Sequence, residues 1–163
     1  MLQLGYQRVG SLDVVNNRTI WEVRGKVVLN GKCIRIGSGS SITVIGECIL
    51  GDSLIITGRS TIICRDKIVF GRNVLISWDV LLMDTDFHNI YDEEFQLINE
   101  DKPILIGDNV WIGCRSTVLK GTILPSNSII AANSVVSGKM EKEGCIYSSN
   151  KRILKERVSW TIE

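Results

Sequence analysis

Residues 44–80 read VIGECILGDSLIITGRSTIICRDKIVFGRNVLISWDV, and every sixth position is aliphatic: Val44, Leu50, Ile56, Ile62, Ile68, Val74 and Val80. A second series runs Ile106, Ile112, Val118, Leu124, Ile130 and Val136. An amphipathic helix repeats near 3.6 residues and a half-buried strand near 2, and neither sustains a six. Six is the period of a hexapeptide β-helix, in which each hexad forms one flat face of a coil. The pattern therefore predicts an all-β chain wound as a parallel β-helix. Three faces of six give about 18 residues per coil, so roughly three coils precede residue 84 and two follow residue 103.

The neighbouring positions agree with that reading. Ile42, Leu54, Phe70, Ile76 and Leu82 supply a second apolar set in the first tract, and Ser116, Thr122, Ser128 and Ser134 supply it in the second. Gly37, Gly46, Gly51, Gly58 and Gly71 fall where corners are expected. Residues 1–30 lack a clean six-period and read as an N-terminal cap. Leu12, Val14, Val15, Ile20, Trp21 and Val23 suggest short strands there, and a solenoid needs such a cap to cover its open end. The repeat stops after Gly138. Residues 139–163 read as a C-terminal cap that includes a short basic helix over Lys151–Val158, with Ile153, Leu154 and Val158 on its apolar side.

Between the two tracts lies Asp84–Lys102, DTDFHNIYDEEFQLINEDK, which has no repeat. Leu82 to Ile106 spans a multiple of six, so the register survives the interruption and the segment reads as a loop extruded from a continuous coil. Long loops in compact folds are commonly functional, and solenoid insertions often mark a binding face. This loop holds His88, the single histidine of the chain.

Composition narrows the function classes. The chain has 163 residues, a length that suits one domain (1–163), and a net charge of +1 with no basic block, which argues against nucleic acid as the main partner. No stretch approaches the roughly 18 apolar residues of a spanning helix, and no basic-then-apolar leader opens the chain. A soluble cytoplasmic protein is expected. The five cysteines (Cys33, Cys48, Cys64, Cys114, Cys145) form no CxxC pair and face no histidine cluster, so they are expected to be small buried hydrophobes rather than metal ligands.

Two stretches carry a family resemblance. Lys102–Gly138, KPILIGDNVWIGCRSTVLKGTILPSNSIIAANSVVSG, resembles the hexapeptide-repeat O-acetyltransferases with a left-handed β-helix. Phe70–Ile90, FGRNVLISWDVLLMDTDFHNI, is similar to the sugar and polysaccharide branch of that family, related to maltose and galactoside acetyltransferases. The resemblance implies a homotrimer, with acetyl-CoA as co-substrate in a groove between coils and a histidine facing it across the subunit interface. It implies a role in polysaccharide biosynthesis and no metal.

Acetyl transfer from a thioester to an alcohol needs a base for the hydroxyl, a donor for the oxyanion and an aligned thioester. Imidazole titrates near neutrality and suits the first role. His88 matches the family's base, with Asp86 and Asp84 as candidates to orient it, or alternatively as loop acids stabilising a turn. By position Trp111 matches an aromatic beside the CoA channel, and could equally be a trimer contact. Trp160 reads as cap packing. Gly113, Cys114, Ala131 and Ala132 match pantetheine contacts, although small residues also simply fit tight coils. Arg152 and Lys155 match cations that reach the 3′-phosphate, or alternatively are solvated charges at a basic helix terminus, while Ser148 and Asn150 replace the family's glycine and proline. Thr57 and Arg65 occupy the region that holds galactoside in the family without clearly matching it. Phe87, Tyr91, Asp92, Glu93, Glu94 and Phe95 could bind a sugar by hydrogen bonds and ring stacking, or equally pack the loop onto a neighbour. The expected function is acetyl-CoA-dependent O-acetylation of a sugar hydroxyl on a glycan, polysaccharide precursor or nucleotide sugar. The alternatives are N-acetylation of an amino sugar and a non-catalytic β-helix scaffold.

Overall fold

A computed structural model describes residues 1–6 and 16–161. The chain is an all-β, left-handed parallel β-helix of about six turns, a three-sided prism whose faces are sheets of eight, six and five strands. One turn runs through Leu54–Ile56 on face 1, Thr61–Cys64 on face 2 and Lys67–Phe70 on face 3. The next runs through Leu75–Ile76, Leu81–Met83 and, beyond the loop, Ile104–Ile106. Trp111–Ile112, Thr117–Leu119 and Ile123–Leu124 follow. All these neighbours pair in parallel, so each strand hands its backbone hydrogen bonds to the turn above.

The coil length differs from the expected 18 in the first tract. Ile55 pairs with Leu75 and Ile63 with Met83, 20 positions on, whereas Thr117 pairs with Val135 and Leu105 with Ile123, 18 on. The two extra residues lie at the corner between faces 2 and 3: Ile62 and Ile68 are six positions apart, whereas Val118 and Thr122, at the same places two turns above, are four apart. The six-residue series nonetheless stays inside throughout. Side chains alternate along a strand, and both 18 and 20 are even, so parity is preserved. From Ile34 to Met140 every residue of the continuous apolar core is even-numbered. Its columns include Ile36–Ile56–Ile76–Ile112–Ile130 and Ile42–Ile62–Leu82–Val118–Val136.

Corners are built by local chemistry. Asn73, Asn109 and Asn127 each take a left-handed φ of 54° to 59°, a conformation asparagine tolerates. Their side chains bond one another up the corner, Asn73 Nδ2 to Asn109 Oδ1 at 2.7 Å and Asn109 Nδ2 to Asn127 Oδ1 at 3.0 Å. Gly51 is required by close approach, because a Cβ there would stand 2.0 Å from the carbonyl oxygen of Gly71. At the corner between faces 1 and 2, the buried Ser60 hydroxyl donates to the Ser77 carbonyl and accepts from the Val80 N–H, satisfying groups that water cannot reach.

Both caps differ from a simple lid. Leu2–Tyr6, Ile20–Val23 and Lys26–Asn30 pair with the strands above them and form the first turn of the helix itself. Ile20, Trp21 and Val23 are therefore strand residues, as expected, while Leu12, Val14 and Val15 lie outside the described residues. The expected C-terminal helix is absent. Ser149–Lys151 forms one 3₁₀ turn, and Ile153–Glu156 is a strand antiparallel to Cys145–Tyr147. The physical reason is the open edge of the last face-1 strand, whose unpaired backbone groups offer more hydrogen bonds than one isolated helical turn would.

An ion ladder crosses the outside of face 3. Glu47 accepts from Lys26 and Lys67, each at 2.8 Å, and these bonds pull its carboxyl down to about 2. A depressed carboxylate contributes stability above the ordinary range and loses it as pH falls toward the folded value. An NMR titration of the Glu47 carboxyl is thus expected to show a midpoint near 2. A midpoint in the ordinary carboxylate range would mean the ladder does not form.

Candidate active site

The loop leaves the prism at the corner between faces 2 and 3, directly after Leu81–Met83. Its neck is closed, since the Lys102 N–H donates to the Asp84 carbonyl at 3.2 Å. Asp84 keeps the inward parity of Leu82 and is fully buried. Its carboxylate accepts the Arg65 N–H at 2.7 Å and the Asp66 N–H at 3.0 Å, at the same corner one turn below. Burial pushes this carboxyl above the ordinary range, against the pull of those N–H groups. From the turn above, Lys120 Nζ donates to Asp86 Oδ2 at 2.5 Å and to the Asn99 carbonyl at 2.6 Å. The Lys120 bond, with one from Asn99, holds the Asp86 carboxyl below the ordinary range. Loop and prism are thus pinned from both sides.

Asn99 ties the loop internally. Its Nδ2 donates to Asp86 and to the His88 carbonyl at 2.7 Å, and its Oδ1 accepts the Ile90 N–H at 2.6 Å. Beyond it the chain makes a small hairpin, with a bridge from Tyr91 to Leu97 and the Asp92 carboxylate collecting the Glu94 and Gln96 N–H groups. His88 is exposed and opens into a cavity of about 260 Å³, lined also by Arg65, Phe87, Asn89, Leu97, Asn99, Glu100 and Asp101. Of the loop residues expected at a sugar, Phe87 lines this cavity, while Tyr91, Asp92, Glu93, Glu94 and Phe95 lie in the hairpin away from it. The difference is geometric: Asp92 is spent on its own turn. Asp84 and Asp86 are engaged as described, one with corner amides and one with Lys120, so each braces the loop.

The other expected residues lie elsewhere. Gly113, Ala131 and Ser148 stack at the corner between faces 1 and 2, where the Gly113 N–H donates to Ile130 O and the Ala131 N–H to Tyr147 O. Cys114 and Ala132 follow them around that corner, Ala132 exposed and Cys114 half-buried. Gly113 is buried, and a Cβ there would come 2.6 Å from the Ala132 nitrogen, so rung packing alone demands a glycine. Arg152 sits at the top of this column, its carbonyl accepting the Ser148 N–H, and Lys155 lies opposite Ile146 on the terminal strand. Both cations are exposed. Trp111 points outward from face 1, its Nε1 donating to Ser77 Oγ at 3.0 Å. Trp160 packs on it with ring centroids 6.1 Å apart and donates to the Asn109 carbonyl, so the C-terminal tail runs back along face 1. Trp160 is therefore a face-1 contact rather than part of an end cap. Among the cysteines, Cys48, Cys64 and Cys145 are buried as expected, but Cys33 and Cys114 are half-buried. A single chain thus places His88 at one corner of the prism and the expected groove at another.

Residues 103–138 match the family model described as bacterial transferase hexapeptide (six repeats). The chain carries that repeat. Its relatives include proteins named as sugar and polysaccharide acetyltransferases, to which this chain is similar. The polysialic acid O-acetyltransferase of Neisseria meningitidis is 30% identical over 107 residues, 65% of this chain and 47% of that protein. The chain spans 64%, 47% and 44% of the length of the first three curated relatives it matches. The fold is shared with the polySia specific acetyltransferase NeuO, at TM-score 0.64 and 21% identity, covering 91% of this chain and 84% of that one. It is shared as well with a galactoside acetyltransferase in complex with coenzyme A, at TM-score 0.63 and 23% identity, covering 81% and 64%.

Lys120 and Asn99 were not legible as site residues. Lys120 becomes one only when the coil stacks it over the loop neck. A lysine before a corner glycine in the turn after the insertion is the one sequence signal that points to it.

Proposed function

We propose that the hexapeptide chain transfers an acetyl group from acetyl-CoA to a sugar hydroxyl, with His88 as general base. The observation that carries the reading is the exposed imidazole on a loop braced from two turns, opening into a cavity beside a polar floor. His88 is the catalytic residue. Asp84, Asp86, Lys120 and Asn99 are positioning residues that fix the loop backbone. The named activities of the relatives support the transfer, and the coenzyme A complex of the galactoside enzyme supports the donor.

Acetyl-CoA would lie along Gly113, Cys114, Ala131 and Ala132, with Trp111 beside it and Arg152 and Lys155 toward its phosphates. Because this column and His88 occupy different corners, the complete site joins His88 of one copy to the groove of the next, and a closed trimer is the simplest arrangement. An outward aliphatic stripe on face 3, Val28–Ile49–Val69–Leu105–Ile123, supports packing of copies.

The test is acceptor-dependent thiol release from acetyl-CoA, measured for the protein and for co-refolded mixtures of two inactive variants, His88→Ala and Ala132→Trp. In a random equal mixture about one interface in four carries both intact halves, so activity near a quarter of the parent's is expected. Mixtures as inactive as the separate variants would overturn the shared site. Absence of both acetyl-CoA binding and thiol release in the parent would overturn the transferase.

A further inference from the structure

The cavity beside His88 is chemically one-sided. Arg65 is its single permanent cation, and its guanidinium is already engaged, Nε with Asp101 Oδ2 at 3.3 Å and Nη1 with the Phe87 carbonyl at 3.4 Å. Asn99 has spent both ends of its amide within the loop. Asn89 has donated its Nδ2 to the Tyr91 hydroxyl at 3.1 Å, which leaves Oδ1. Among the described residues nothing pairs with the exposed Glu100 carboxylate. What the walls still offer is the Glu100 carboxylate, the second oxygen of Asp101 and the Asn89 oxygen as acceptors, the imidazole as one acceptor and one donor, and the remaining N–H groups of Arg65, whose charge Asp101 already balances. One guanidinium stands against two carboxylates in the lining, and Lys120 at the loop neck is consumed by Asp86 and the Asn99 carbonyl.

A lining dominated by acceptors suits the hydroxyls of a sugar, each of which can donate one hydrogen bond. It opposes a ligand carrying its own carboxylate or phosphate, which would meet two carboxylates in the lining against one guanidinium that Asp101 already neutralises. The half-exposed Phe87 ring adds an apolar surface for the faces of C–H groups. A volume of about 260 Å³ suits one ring rather than a stretch of chain. Resting on the acetyltransferase reading, we infer that the acceptor ring bound at His88 is an uncharged pyranose, and that Glu100 and Asp101 set this preference. Asp101 does so by neutralising Arg65, and Glu100 by presenting free negative charge to the ring.

The test compares kcat/KM for matched pairs: methyl glucoside and methyl galactoside against the corresponding glucuronide and galacturonide, with an oligosialic acid as a polyanionic probe. The neutral member is expected to lead by about tenfold or more, as like-charge exclusion predicts. Glu100→Gln is expected to narrow that ratio by about threefold or more, by raising turnover of the acidic member. A purely structural role for Glu100 would move both members together. Equal or better turnover of the uronides or the oligosialic acid overturns the inference and leaves the transferase intact. Saturation-transfer NMR on the same protein reads binding without catalysis, and absence of signal from every neutral glycoside also overturns it. Calorimetric binding of acetyl-CoA to the same sample then tells whether the transferase reading falls with it.

Discussion

His88→Ala is expected to lower acceptor-dependent turnover by about 10²- to 10⁴-fold, the usual contribution of a positioned general base. The loss should fall on kcat. The imidazole is exposed, and the loop hold at this residue is made by its backbone carbonyl, which the substitution keeps. Stability should therefore change by no more than about 0.5 kcal/mol. Acetyl-CoA affinity should be unchanged, because the expected groove lies at another corner of the prism. Thiol release, a calorimetric titration and a thermal melt on one preparation check all three. Full turnover in the variant would remove His88 from the chemistry. A melt lowered by many degrees would instead mean that the loop is held through the imidazole.

Phe70→Ala is expected to be the most costly single truncation in the prism, at about 3–5 kcal/mol. Phe70 is 2% exposed and pairs with Ile106, which pairs in turn with Leu124, so its ring fills one face-3 column immediately below the loop. Parallel strands stacked on three sides leave the backbone little room to collapse into the space a ring vacates. At about 2–4 °C per kcal/mol for a chain of this size, the melt should fall by roughly 6–20 °C. A shift of a degree or two would show that neighbouring turns close the void, and would count against a rigid, fully packed interior.

The two predictions draw on residues of very different legibility. Phe70 could be read as interior from spacing alone, since inward positions alternate strictly and both coil lengths are even. The same parity concealed the longer coils: a six-residue count lands inside whether a turn holds 18 residues or 20. His88 was legible by elimination and by its motif. Its surroundings were not. Glu100, Asn99 and Leu97 line the cavity because a hairpin folds the second half of the loop back beside the first, and nothing in the repeat reports that. The C-terminal segment misled for a related reason. KRILKERV has helical composition, but the fate of so short a segment depends on whether an open strand edge lies within reach.

Sequence by itself determined what repeats: the all-β solenoid, its inward faces, the interruption at Asp84–Lys102 and the candidate base within it. These are periodic or local properties, and burial of alternate side chains leaves one consistent way to satisfy them. Tertiary structure decided what meets across turns. It stacked Lys120 over the loop neck, sent Asp84 down to the Arg65 corner, laid Trp160 on Trp111, and put His88 and the Gly113–Ala131 column at separate corners. The first three are contacts between residues 19 to 49 positions apart, and all four are set by the length of a coil and the path of a tail rather than by any motif.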